Sequence, residues 1–193
     1  MSASSTSRWV LVVSFLLSEV DAMSLVGRAA ENHPQQVGVR GALDAVDDRR
    51  TPSSLFDPLN EEFKFTLDAA ASADNALCEH FYSLDSDGLT SSWVGHSVWV
   101  NPPYSDCGAW VRKAWAEFIV GCPSIVMLLP ANRCEQVWWQ NDIEPFRDGK
   151  GYGLRTRFQR GRLRFDTPDH DYAAQPKGNR PPFGVVVVIW RGE

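Results

Sequence analysis

The sequence predicts one α/β domain on a mostly parallel sheet, with an antiparallel hairpin at one edge. Three observations carry that prediction. Two short apolar runs, Ser97 to Val100 and Ser124 to Leu129, are each closed by proline, at Pro102-Pro103 and at Pro130. Between them Trp110, Ala114, Trp115 and Phe118 recur at helical spacing. Strand, helix and strand then make a right-handed βαβ unit with parallel strands. Farther on, Leu154 to Phe158 and Arg162 to Phe165 alternate apolar and basic residues around Gln159-Arg160-Gly161. That is the pattern of a hairpin with an apolar inner face and an arginine outer face.

Composition sets the bounds. A chain of 193 residues, 44% hydrophobic with eight tryptophans, has room for a real core and is not a disordered sequence. The net charge of −5 does not by itself point to nucleic acid. The four cysteines show no C-x-x-C spacing and the four histidines are scattered. No metal site is expected, and the thiols read as the reduced thiols of a cytosolic protein.

In chain order, residues 1–50 are expected to be a poorly structured extension or linker. Trp9 to Leu17 is apolar but interrupted by Ser14, and too short to span a membrane. Only Arg8 supplies the charge of a signal peptide and no A-x-A site follows, so Met23 is a candidate start of translation. The domain proper is expected over 51–193. Ser53 or Ser54 caps a helix running to about Glu62, with Leu55, Leu59 and Phe63 inward. Phe63 to Asp68 reads as the first central strand, followed by the small residues Ala69-Ala70-Ala71-Ser72. Asp68 is either a ligand-holding carboxylate or a solvated strand-end charge. Only about nineteen positions separate it from Asp87, too few for a full nucleotide-binding half. Asp87-Gly88 is also a common turn signal. Gly121-Cys122-Pro123 ends the next helix, and Glu135 to about Ile143 forms another with Val137 and Trp138 inward. Asp166 to Pro182 reads as loop, and Gly184 to Trp190 as a final buried strand.

Charge is concentrated late. From Arg147 to Arg164 stand Arg147, Lys150, Arg155, Arg157, Arg160, Arg162 and Arg164, against the single acid Asp148. Such a face binds phosphates despite an acidic total, or simply keeps a hairpin edge soluble.

Asn101-Pro102-Pro103-Tyr104 is the organising motif. Neither proline has an N–H, so the strand stops at Asn101 and a stiff loop begins at its carboxyl end, where ligands of open α/β sheets sit. Asn101 offers a side-chain oxygen, Pro102 a carbonyl aimed by Pro103, and Tyr104 a flat ring. Two acceptors beside a stacking face suit a planar group bearing an NH2. Holding both N–H bonds makes that nitrogen more tetrahedral and frees its lone pair, with no strong base needed. The plainer reading is a Pro-Pro turn.

Asn101-Pro102-Pro103-Tyr104 resembles the catalytic motif of amino-group methyltransferases that use S-adenosylmethionine (AdoMet). Phe65-Thr66-Leu67-Asp68-Ala69-Ala70-Ala71-Ser72, Asn75, Cys78, Asp87-Gly88-Leu89, Trp93, Met127-Leu128-Leu129-Pro130-Ala131 and Gly161-Arg162-Leu163-Arg164-Phe165 are similar to the phage-type DNA N6-adenine methyltransferases, over roughly Thr51 to Trp190. The resemblance implies an abridged AdoMet-dependent methyltransferase fold, bacterial host cytoplasm with phage or prophage origin, and double-stranded DNA as substrate. It implies Asn101, Pro102, Pro103 and Tyr104 as the catalytic set, and Thr51, Pro52, Asp68, Ala69, Asp87 and Leu89 on the cofactor. Arg155, Arg157, Arg160, Arg162 and Arg164 are the expected DNA contacts. RNA or protein-amide methylation, or a non-catalytic DNA-binding remnant lacking the glycine-rich loop, are the alternatives.

Overall fold

The computed structural model describes residues 50–165 and 181–192. The chain divides into two units, 1–41 and 42–193, and every described residue belongs to the second. The expectations for residues 1–49 and for most of the 166–182 loop lie outside the described residues. No helix among the described residues is long and apolar enough to cross a membrane.

The sheet has six strands: β1 (Leu67–Asp68), β2 (His80–Phe81), β3 (Ser97–Val100), β4 (Ser124–Pro130), β5 (Leu154–Phe158) and β6 (Val185–Arg191), in the order β2-β1-β3-β4-β6-β5. β1 is parallel to β2 and to β3, and β3 is parallel to β4. β6 pairs antiparallel with both β4 and β5, so it alone runs against the rest. The mostly parallel α/β architecture is therefore as the sequence predicts, including the βαβ unit of β3, the helix Cys107–Ile119 and β4.

Among the described residues three α-helices accompany the sheet: α1 (Ser53–Phe63), α2 (Cys107–Ile119) and α3 (Val137–Asp142). Period-two alternation sorts the strand residues between two faces. Trp99, Val126, Leu128, Val187 and Ile189 pack with Leu55, Phe56, Leu59 and Phe63 of α1. Phe56 meets Trp99 edge-on at 5.6 Å. On the opposite face Trp190 meets Trp115 of α2 edge-on at 6.0 Å. β6 has apolar residues on both faces, so Val185 to Trp190 is a continuous apolar run with every residue buried.

Several local expectations are corrected. The hairpin between Leu154 to Phe158 and Arg162 to Phe165 does not form. β5 pairs instead with β6, Phe158 opposite Val186, and Arg162 to Phe165 stay outside the sheet. The alternating pattern of β5 fits any apolar neighbour, and the fully buried β6 offers far more area than a four-residue partner. Phe165 is buried instead in the α1 cluster. The first strand is Leu67–Asp68 rather than Phe63 to Asp68, because Phe63 ends α1 and Lys64 takes a left-handed cap at φ 53°. No serine caps α1; Pro52 occupies the N-cap position and its carbonyl accepts from Leu55 and Phe56. In α3 it is Trp139 that is buried, while Val137 is 74% exposed and Trp138 half-buried.

Candidate active site

Where β1 and β3 lie side by side, the chain order of the sheet reverses: β2 leaves to one side and β4 to the other. Loops from adjacent strands diverge there and leave a crevice at the carboxyl ends. The crevice is a cleft of about 550 Å³ lined by Ala69 to Ser72 after β1, Tyr82 to Leu84 after β2, and Asn101 and Pro103 after β3. Asn75, Asp87, Gly88 and Trp110 complete it.

The loop after β1 is tied down on both sides. Ala69 N–H donates to the Trp99 carbonyl at 2.9 Å, Ala71 N–H to Tyr82 at 3.0 Å, and Tyr82 N–H to Asp68 at 2.9 Å. Alanine thus suffices where a glycine-rich loop is usual, since the small side chains leave the cleft open. The one glycine the wall requires is Gly88. A Cβ there would lie 2.0 Å from the Ala69 carbonyl oxygen.

Gly88 is held from behind. Its carbonyl accepts the Trp93 indole N–H at 2.9 Å. Trp93 is fully buried and stacks on Trp110 at 6.3 Å. Its backbone N–H donates to Glu117 at 2.8 Å, and Lys113 donates to the other Glu117 oxygen at 2.5 Å. Trp110 is both core and cleft wall.

Asp68 ends β1, 3% exposed. It lines a small recess beside the cleft with Thr51, Asn75, Trp99 and Asn101. Burial pushes its pKa up from 3.8 to about 6, partly offset by the N–H groups of Leu77 and Ala70. Burial, with Asp68's charge adding, pushes the nearby Cys78 thiol up to about 12. All four cysteines are free. Thr51 Oγ1 and Ser72 Oγ are buried without a hydrogen-bond partner. Two buried hydroxyls without partners beside an open cleft and a buried carboxylate suit a polar ligand carrying a cation.

Of the residues expected on the cofactor, Ala69 and Asp87 line the cleft, and Thr51 and Asp68 line the recess. Pro52 and Leu89 line neither. Asp87, at φ 43°, also accepts the Leu89 N–H at 3.0 Å, so the turn and the cleft wall are one feature. Asn101 and Pro103 line the cleft. Tyr104 opens a short 3-10 turn, half-buried and 6.0 Å from the Phe183 ring.

The five arginines do not form one face. Arg157 makes two bonds to the Glu62 carboxylate, at 2.5 and 2.7 Å, and lies over the Phe63 ring. It is an α1-to-β5 strut. Arg155 sits mid-strand opposite Ile189. Phe158 lies opposite Val186 while Pro130 lies opposite Val185, so β5 finishes at the same end of the sheet as β4. Arg160 and Arg162 are exposed just past that end, the end that carries the cleft, and Arg164 is half-buried.

Sequence reasoning missed Tyr82 to Leu84 and Arg133. The first group was findable as the tip of the strand after Asp68. Arg133 had no local signal. Among the described residues no group of three or more His, Cys, Asp or Glu side chains comes together as a metal site.

A family profile described as DNA N-6-adenine-methyltransferase (Dam) matches residues 42–192. A protein of Escherichia phage T1 named DNA N-6-adenine-methyltransferase is 36% identical over 163 residues, covering 77% of this chain and 64% of that protein. A protein of the same name from Haemophilus phage HP1 is 33% identical over 81 residues, covering 41% of this chain and 47% of that one. The chain thus spans less than two thirds of the length of either relative.

Proposed function

The chain belongs to the DNA N-6-adenine-methyltransferase (Dam) family, and from that premise we propose that it transfers a methyl group from AdoMet to the exocyclic amino group of adenine in double-stranded DNA. The observation that carries the reading is the placement of Asn101 and Pro103 on the cleft, at the carboxyl end of β3. The same sheet end carries Asp68, Thr51 and the loop of small residues.

The cleft fits the cofactor. Asp68 would hold its ammonium group, Thr51 Oγ1 and Ser72 Oγ would find partners in its polar groups, and Asp87 and Trp110 would flank its ring. Pro52 and Leu89 act from behind, as the start of α1 and the turn after Asp87. When bound, AdoMet supplies a methyl group on a positively charged sulfur. The protein does the rest by position.

An adenine N6 inside a duplex is out of reach, so the base must be flipped into the site. Tyr104 stacks on the flipped ring. The Asn101 side-chain oxygen and the Pro102 carbonyl accept the two N6 hydrogens, and Pro103 keeps that carbonyl aimed. With AdoMet bound alongside, the N6 lone pair so freed would take up its methyl group in line, the sulfur keeping the bonding pair, and N6 would then give one proton to solvent. Alignment of this kind accounts for much of the acceleration in a site without a covalent intermediate. Arg160 and Arg162 meet the phosphates, Arg164 supports them, and Arg155 adds charge from mid-strand; Arg157 is committed to Glu62.

The test is nucleoside mass spectrometry on DNA from a methylation-deficient bacterial host expressing the chain, beside Asn101→Ala. N6-methyladenine is expected in the first and not the second, with AdoMet affinity retained by the variant. Methylation by Asn101→Ala at the wild-type level would sink the mechanism. A chain inactive on DNA but active on RNA or protein would move the substrate.

A further inference from the structure

The catalytic loop has a structural difficulty. Pro102 and Pro103 carry no N–H, so neither can be pinned by donating to a neighbouring strand. At those two positions the loop offers carbonyls only, and a donor that pins its far end comes from outside it. That donor is Arg133, on the short 3-10 turn (Ala131–Arg133) that follows β4. Its Nη1 donates to the main-chain carbonyl of Tyr104, which also accepts from Cys107 Sγ at 3.5 Å.

The turn bearing Arg133 is itself fixed. Ala131 N–H donates to Gly184 at 2.9 Å, tying the end of β4 to the start of β6. The Arg133 carbonyl accepts from Gln136 at 3.1 Å, and Cys134 Sγ donates to Ala131 at 3.2 Å. Gln140 Nε2 donates to the Cys134 carbonyl at 2.6 Å. Phe183, next to Gly184, packs against the Tyr104 ring. A half-buried guanidinium on a rigid base, bonded to a carbonyl of the loop, is a charge-assisted contact of fixed geometry.

We propose that Arg133 is a positioning residue for methyl transfer: it braces the far end of the Asn101–Tyr104 loop from β4, so that the Asn101 oxygen and the Pro102 carbonyl keep their aim at the acceptor amino group. The inference rests on the reaction proposed above. Arg133 acts through the loop, so its loss lowers the rate of transfer and leaves cofactor binding in place.

The experiment is single-turnover methylation of unmethylated plasmid DNA by the full chain at saturating AdoMet, with Arg133→Met and Arg133→Lys. Arg133→Met should slow transfer roughly 10- to 100-fold, the loss of one charge-assisted bond plus the alignment it holds. AdoMet affinity by calorimetry and thermal midpoint should stay near wild type, and Arg133→Lys should recover most of the rate. A wild-type rate in Arg133→Met overturns the inference. So does a loss that tracks AdoMet affinity, or a lysine variant no faster than the methionine one. If Arg133→Met does not fold, Arg133→Gln replaces it, and a glutamine variant as fast as lysine overturns the charged contact. A wild-type chain that binds AdoMet but leaves DNA adenine unmodified overturns the reaction itself, and this inference with it.

Discussion

Asp68→Asn separates the cost of a buried carboxylate from its proposed use on the cofactor. With Asp68 at 3% exposure, burial raises its pKa from 3.8 to about 6. A rise of about two units means that ionised Asp68 costs the ligand-free fold about 3 kcal/mol. The sign follows from proton counting. Between roughly pH 4 and 6 the folded chain holds a proton that the unfolded chain has released, so stability falls as pH rises through that window. Above it the cost is fully present. Asparagine removes the charge and keeps the shape. It also turns an NH2 toward the N–H of Ala70 or Leu77, which now donate at 3.4 and 3.2 Å. That opposing cost is about 1–3 kcal/mol, so near-equal stability at neutral pH is expected. The slope does not cancel. In urea unfolding from about pH 4.5 to 7.5, ligand-free wild type should lose about 2 kcal/mol relative to Asp68→Asn. AdoMet should bind the variant at least roughly 10-fold more weakly, since a charge-assisted contact is gone. Parallel pH profiles for the two proteins would refute the buried-charge argument. Unchanged AdoMet affinity would remove Asp68 from the cofactor site.

Three further outcomes are expected. Gly88→Ala drives a Cβ to 2.0 Å from a backbone oxygen that has little room to yield; it should destabilise the fold by about 1–3 kcal/mol and weaken AdoMet, read by thermal unfolding and calorimetry. An unchanged midpoint would show that the Gly88 wall shifts freely. Arg160→Ala with Arg162→Ala should reduce the slope of log K for DNA against log salt by about 2, as two phosphate contacts vanish. Arg157→Ala should change that slope less and cost stability of only about 0–1 kcal/mol, because its pair with Glu62 is more than a third exposed on both sides. Equal salt effects from the two sets would put the DNA on the α1 face of β5 instead.

The sequence by itself determined the β3–α2–β4 unit and the stiff loop at Asn101–Tyr104. The prolines after β3 and β4 end those strands whatever surrounds them, because a missing N–H is a property of the residue. The helix between them follows from local spacing, and β3–α2–β4 is parallel as that implies. Pairing at the far edge was decided only by tertiary structure. Leu154 to Phe158 reads as a strand with an apolar side, but nothing local says whether Arg162 to Phe165 or a strand about thirty residues on will lie beside it. The larger apolar area of β6 wins that competition. Arg157 likewise reads as a phosphate contact until α1 brings Glu62 to it. The same holds for Glu117 behind Trp93 and for Arg133 on the Tyr104 carbonyl. A proline ends a strand through its own covalent geometry. A charge takes its meaning from whichever partner the folded chain carries to it across the sequence.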